Sequence, residues 1–258
     1  MVIKEITVKC PICGTEDVIK HGIQNGKQVY QCKNSACPRK FFSESYTKKG
    51  WIPKVRENVL RLTVEGNGIR ATARLLGISK NTVMAVLKKQ EDQIWNINYD
   101  YINKRLEENP EITVISVDQI EVREAEMDEM WSFVKDKSQQ CWLWWAIDHA
   151  TGEPLAFCLG TREHKYLDEL LEQLSAFQIN TVYVDRNYAY EARIPDEVIP
   201  GKRNTQRIER KHLSLRTWCS RLVRKGIRFS KSHQMHKIVV GLLINVWFFG
   251  RTVVDFVV

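Results

Sequence analysis

The sequence has no apolar run long enough to cross a membrane: the longest, residues 239–249, is too short and is interrupted by Asn245. No basic stretch leading into an apolar segment follows Met1, which excludes a secretion signal of ordinary form. Internal repeats and low-complexity tracts are absent too. These absences point to a soluble, intracellular protein of the cytoplasm. Acids are in the minority, 31 Asp and Glu against 39 Lys and Arg, leaving a formal charge of +8 over 258 residues. Such a balance suits a polyanionic partner, because cations that neutralise phosphates release condensed counterions and gain affinity without reading sequence. With 43 % hydrophobic residues the chain can bury one ordinary core and a smaller module, so two or three domains are expected.

Seven cysteines in a reducing compartment are poor candidates for disulfides. Four of them are paired: Cys10 with Cys13, then, after eighteen residues, Cys32 with Cys37. That spacing lets two tight knuckles offer four thiolates to one tetrahedral zinc, a structural ion without which so short a segment has too little core to fold. Short strands are expected on either side of the turn at Asn25 and Gly26, making a zinc ribbon, with His21 left as a loop residue. Cys141, Cys158 and Cys219 stand in apolar or helical surroundings and read as small core residues.

After Pro53 the apolar spacing of Val55, Val59, Leu60 and Leu62 is helical, and residues 66–68 break it. A second helix runs from Ile69 to a stop at Gly77, and Ser79 is placed to cap a third. This reads as a helix-turn-helix, with Lys80, Asn81 and Thr82 as candidate base contacts and Arg70 and Arg74 as supporting cations. A polar, acidic stretch over 93–112 is the expected linker, giving a zinc ribbon over 1–47, a DNA-binding unit over 48–92 and a catalytic domain over 113–258.

Within the last unit, strands are expected over 112–117, 126–134, 141–147, 154–159 and 179–184, and a helix over 165–175, with the chain helical from Thr205 onward. Asp148 heads a turn, Asp118 reads as a solvated strand end, and Trp131, Trp142, Trp144 and Trp145 read as core. His212, His233 and His236 are either phosphate-orienting groups or ordinary surface and core histidines. Three acids stand out: Asp128 interrupts a strand, Asp185 ends one, and Glu209 lies among arginines at a helix start. Alone, Glu209 could as well be an ion-pair partner. Together, three carboxylates suit hard divalent cations, which can activate an attacking oxygen and stabilise a leaving one in phosphoryl transfer. From Lys202 to Lys237 twelve cations, among them Lys202, Arg203, Arg207 and Arg210, face the single acid Glu209, as a surface for a DNA backbone would require.

The stretches 126–134, 142–148, 205–210, 213–216 and 229–233 resemble the insertion-sequence-one family of DDE transposases, and the resemblance covers nearly the whole chain. It implies an RNase H-like α/β core, a mixed sheet with flanking helices, behind the zinc ribbon and helix-turn-helix. Asp128, Asp185 and Glu209 take the places of the catalytic triad and of its magnesium (or manganese) ligands, with twenty-four positions from the second to the third. Arg216 takes the place of the family's basic residue, seven positions after the glutamate. The partners so implied are double-stranded DNA, as terminal inverted repeats and as target, and a dimer or larger assembly of the chain on the nucleoid of a prokaryote. The family usually has glycine directly after the second aspartate; here Arg186 and Asn187 follow, either altering that loop or contacting DNA. Two other readings stand beside the transposase: a DNA-binding regulator that has lost the chemistry, and a metal-dependent nuclease without strand transfer.

Overall fold

The computed structural model describes residues 7–24, 26–43, 49–108, 120–185, 190, 193, 194 and 197–257. The strand expected over 112–117, Asp118, and the loop positions Arg186 and Asn187 lie outside them.

At the N-terminus, β1 (Val18–Gln24), β2 (Lys27–Cys32) and β3 (Phe41–Ser43) form an antiparallel sheet in that order, around a small core of Tyr30, Phe42 and three of the paired cysteines. The first two strands flank the expected turn; the third was not anticipated. His21 belongs to β1, not to a loop, and its ring lies edge-on to Phe41 at 4.5 Å.

Three helices follow: α1 (Pro53–Val64), α2 (Ile69–Leu76) and α3 (Lys80–Lys88). Proline opens α1 because its missing N–H is unneeded there. Gly77 ends α2 in a left-handed conformation (φ 59°), and the Ser79 hydroxyl accepts the Thr82 amide at 3.0 Å to cap α3. Gly66 is required by close approach, since a Cβ there would stand 2.4 Å from the Trp218 carbonyl oxygen.

The main sheet has five strands: β4 (Ile120–Val134), β5 (Asp136–Asp148), β6 (Pro154–Gly160), β7 (Phe177–Val184) and β8 (Glu197–Pro200), in the order β6-β5-β4-β7-β8. The hairpins β4–β5 and β5–β6 are antiparallel, whereas β7 and β8 join in parallel, so the sheet is mixed. On one face, α4 (Tyr99–Glu108) and α5 (His164–Leu174) cover Met127, Trp144 and Val182. On the other lie α6 (Gln206–Trp218) and α7 (His233–Trp247), over Met130, Leu143 and Trp145.

The long apolar run of the sequence lies mostly in α7, which is buried from Ile238 to Asn245 between this sheet and α1–α3; no helix of the described residues is long and apolar enough to cross a membrane. Asn245, which interrupts the run, is fully buried and fully used: its amide donates to Trp95 O and Gly241 O, and its oxygen accepts from Trp95 N and Arg251. Val59, Leu60, Val83 and Leu87 therefore share one core with Ile238 and Leu243. The stretch 93–112, expected as a linker, carries α4, with Tyr101 buried against Phe177; its last four residues lie outside the description.

Candidate active site and metal centres

Register places the first two acids. In the parallel ladder Met127 pairs with Val184, so the next step sets Asp128 of β4 beside Asp185 at the carboxyl end of β7. Alternation along β4 turns Asp128 to the same face as Met130, where α6 packs. The third acid arrives on α6, whose first turn is fixed to the strand from below. Thr205, its N-cap, makes no side-chain cap bond; instead the fully buried Glu126 of β4 reaches across and accepts the Ile208 amide at 2.9 Å. Its other oxygen meets His149 Nδ1 at 2.9 Å, and Arg207 donates to the Ala150 carbonyl. Glu126 thus caps the helix and sets Glu209, the next residue, above the sheet. Glu126→Ala leaves a buried amide without an acceptor and should lower stability to chemical denaturation by about 2–4 kcal/mol, with Glu126→Gln costing less.

Glu209, His212 and Arg216 lie three and four residues apart on one face of α6 and, with Asp128, Glu129, Trp142, Arg162, Asp185 and Arg224, line a cavity of about 220 Å³. One ligand atom from each of Asp128, Glu209 and His212 falls within 4.8 Å of the others. Asp185 Oδ2 stands 3.9 Å from Lys202 Nζ at the mouth. Sequence reasoning brought Asp128, Asp185, Glu209 and Arg216 together; it missed Glu129, Arg162 and the role of His212, and it read Trp142 as core. Trp142 is half-buried, under the Arg162 guanidinium at 4.8 Å. Glu129 points to the opposite face of β4, where the Tyr190 hydroxyl donates to it at 2.7 Å.

His212 is not free to act as a metal ligand. The Trp145 indole, which can only donate, gives its N–H to His212 Nε2 at 2.9 Å, so in the neutral ring the proton is on Nδ1. That Nδ1–H stands 3.6 Å from Asp128 Oδ2 and 3.5 Å from Glu209 Oε2, between the two carboxylates. Burial pushes the His212 pKa down, which keeps the ring neutral. The hydrogen bond from His212, with Arg216 nearby, holds Glu209 below its ordinary pKa. Arg216 lines the cavity, and its Nε is buried with no hydrogen-bond partner among the described residues.

Burial, reinforced by the charges of Glu129, Glu209 and Asp185, pushes Asp128 up to about 7. A raised carboxylate pKa means that the folded chain binds a proton the unfolded chain has lost. Metal-free protein should therefore lose stability as pH rises from about 4 to about 7, by at most about 4 kcal/mol, and then level off. A divalent cation removes that penalty, so the rise in Tm on adding Mg²⁺ should be larger at pH 8 than at pH 5.5. Thermal unfolding without chelator, which would also strip any ion from the four paired cysteines, measures both.

At the thiolate cluster, Cys10 Sγ lies 3.8 Å from Cys37 Sγ, and Cys13 Sγ 3.7 Å from Cys32 Sγ. Thiolates about 2.3 Å from a tetrahedral zinc stand roughly 3.8 Å apart, so the four residues fit that ion. All seven cysteines are free thiols, and Cys141, Cys158 and Cys219 are buried as expected. Asp148 ends β5 and heads the turn that follows, accepting from Tyr101 Oη, Thr151 Oγ1 and Ala150 N.

The expected DNA contacts divide. Arg70, Arg74 and Lys80 line one groove, while Thr82 lies in a different cavity, its methyl where a Cβ on Gly50 would be. Asn81, Arg203, Arg207 and Arg210 are exposed.

The chain is similar to known insertion-element proteins over the half that builds this site. It is 43 % identical over 122 residues to the insertion element iso-IS1n protein InsB of Shigella dysenteriae, covering 47 % of this chain and 93 % of that one. The insertion element IS1 protein InsB of Shigella flexneri is 42 % identical over 123 residues, 47 % of this chain and 94 % of its own. An insertion element IS1 9 protein InsB of Escherichia coli K12 is 40 % identical, over 47 % of this chain and 74 % of its own. The family described as IS1 transposase matches residues 122–250, a span that holds Asp128, Asp185, Glu209 and Arg216, and the chain belongs to that family.

Proposed function

We propose that the protein binds the terminal inverted repeats of the insertion sequence that encodes it, cleaves DNA at the 3′ ends and joins them to target DNA. The observation that carries this reading is the convergence of Asp128, Asp185 and Glu209, from two adjacent parallel strands and a helix, on one cavity that also holds Arg216. In this reading the main domain is an RNase H-like core, and Asp128, Asp185 and Glu209 hold Mg²⁺ or Mn²⁺. When bound, such ions supply an activated oxygen nucleophile and charge neutralisation at the leaving oxygen.

The chain's own groups do the rest. Glu126 fixes the start of α6 and so the height of Glu209 above the strands. His212, its tautomer set by Trp145, holds Asp128 and Glu209 together through Nδ1–H. Arg216, which lines the same cavity, offers its guanidinium to a phosphate oxygen. Cys10, Cys13, Cys32 and Cys37 hold a structural zinc, so that the N-terminal sheet is a zinc ribbon. Helices α1–α3 act as a helix-turn-helix that recognises the ends, with Lys80 and Asn81 towards the bases. Thr82, packed against Gly50, supports that helix from its other side. Joining two ends in one event calls for a dimer or larger assembly on DNA.

A Mg²⁺-dependent strand-transfer assay on the element's own terminal DNA, with wild type beside Asp185→Asn, tests the proposal. Joined product from the wild type alone is the expected result. Cleaved but unjoined product would instead mark a nuclease, and binding without cleavage a regulator.

A further inference from the structure

A groove of about 780 Å³ runs between the three helices and the segment that follows α6. Arg70, Arg74 and Lys80 stand along one wall and Arg221, Arg228 and Lys231 along the other, and no carboxylate lines it among the described residues. Five of the six are exposed, so their charges face the opening.

Both walls are held in place. The first shares the core of α7, and Gly66 lies against the Trp218 carbonyl. The second is anchored by a one-way chain of hydrogen bonds through the interior. Arg221 donates to Ser230 Oγ at 3.0 Å, Ser230 to His236 Nδ1 at 2.9 Å, His236 Nε2 to Ser132 Oγ at 3.0 Å, and Ser132 to the Cys141 carbonyl at 2.6 Å. The direction is set at its end, because a carbonyl can only accept, and every member is then satisfied. Ser230, His236 and Ser132 are buried, and the Ser230 carbonyl also accepts the Lys135 amide at 2.7 Å. A groove with six cations along two anchored walls and no acid among its described lining residues suits a polyanion that threads between them.

The same short segment reaches the carboxylates. Arg221 lines the groove, and Arg224, three residues on, lines the cavity of Asp128, Asp185 and Glu209. We propose that the groove grips the sugar-phosphate backbone of the DNA engaged by the three helices and passes that strand to the carboxylate cavity of the same chain. The inference rests on the reading of the protein as a DNA-processing enzyme. It adds that the cations of the helices and those after α6 form one groove for the strand, and that the chain that grips is the chain that cuts.

Phosphate contacts carry no sequence information, so the first probe is a fluorescent duplex of mixed sequence, titrated with the full chain over a range of salt. Arg228→Ala and Lys231→Ala should each weaken binding several-fold and flatten the slope of log K against log salt by about one unit, whereas Lys104→Ala on α4 should do neither. Wild-type binding that both groove variants retain unchanged overturns the groove while leaving the DNA reading intact; a wild type that binds no duplex overturns both.

The second arm mixes the Arg228→Ala, Lys231→Ala double variant with Asp185→Asn on the element's terminal DNA. If grip and cleavage lie on one chain, the mixture joins DNA no faster than the double variant alone. Recovery towards the wild-type rate would show that one copy grips for another and would overturn that part of the proposal.

Discussion

Asp185→Asn should lower strand joining by at least about a thousand-fold, roughly 4 kcal/mol of transition-state stabilisation, while DNA binding stays within about two-fold of wild type. An amide keeps the shape of the carboxylate but not the charge that would hold a divalent cation, and Asp185 follows the carboxyl end of β7 with its side chain partly exposed. Asp128→Asn should lose as much activity and yet behave differently when the protein is unfolded. Burial and three neighbouring carboxylates disfavour its charge, so above pH 7 without metal the asparagine variant should be as stable as wild type or more so. The Glu129 amide, which donates to Asp128 Oδ1 at 2.8 Å, can still find the asparagine oxygen. Activity lost together with stability kept or gained separates a metal-holding carboxylate from a structural one. Loss of both together in Asp128→Asn would return that residue to a structural role.

How far the site can be read from the sequence depends on whether a residue's role is local. Gly77 and Ser79 act within a few residues of themselves, and the end of α2 and the cap of α3 follow from their chemistry. The cysteine pairs announce themselves by spacing, and their sulfurs do stand at zinc-like separations. Asp128, Asp185, Glu209 and Arg216 were legible through resemblance, because their motifs are short and contiguous. What sequence could not show is what the register brings together. β4 begins at Ile120, earlier than the expected start at 126, since Glu121, Arg123 and Glu124 break any apolar alternation; Arg123 is a bulge with φ 66° that lets a polar stretch continue the strand. β5 likewise starts at Asp136, in a polar hairpin tip that carries no apolar alternation.

Partners far apart in sequence were the other blind spot. Glu126 lies inside the recognised motif, but its partner Ile208 is 82 residues away, and nothing local marks it as the cap of another element. The apolar faces of α1 and α3 signal burial without saying against what, so their sharing of α7 with the main sheet could not be foreseen. His212 is the sharpest case. An isolated histidine on a helix is ambiguous between ligand, phosphate contact and core, and only the indole of Trp145, 67 residues distant, decides its tautomer.

That tautomer should be visible directly. In ¹⁵N spectra of the metal-free protein the His212 ring should show a protonated Nδ1 and an unprotonated Nε2, a pattern imposed by the indole N–H at 2.9 Å. Trp145→Phe removes the donor and should let the ring sample both tautomers, at a small cost in packing because the aromatic body is kept. Once Nδ1–H no longer stands reliably between Asp128 and Glu209, their mutual repulsion is less well offset, and affinity for Mn²⁺ should fall about 10- to 100-fold with joining activity. His212→Asn should fall by at least as much. Titrating Mg²⁺ into the wild type should leave Nδ1 protonated, because the ring acts on the carboxylates and not on the ion. A spectrum with the proton on Nε2, or loss of the Nδ1 proton as Mg²⁺ is added, would make His212 a metal ligand in its own right and reduce Trp145 to a packing residue.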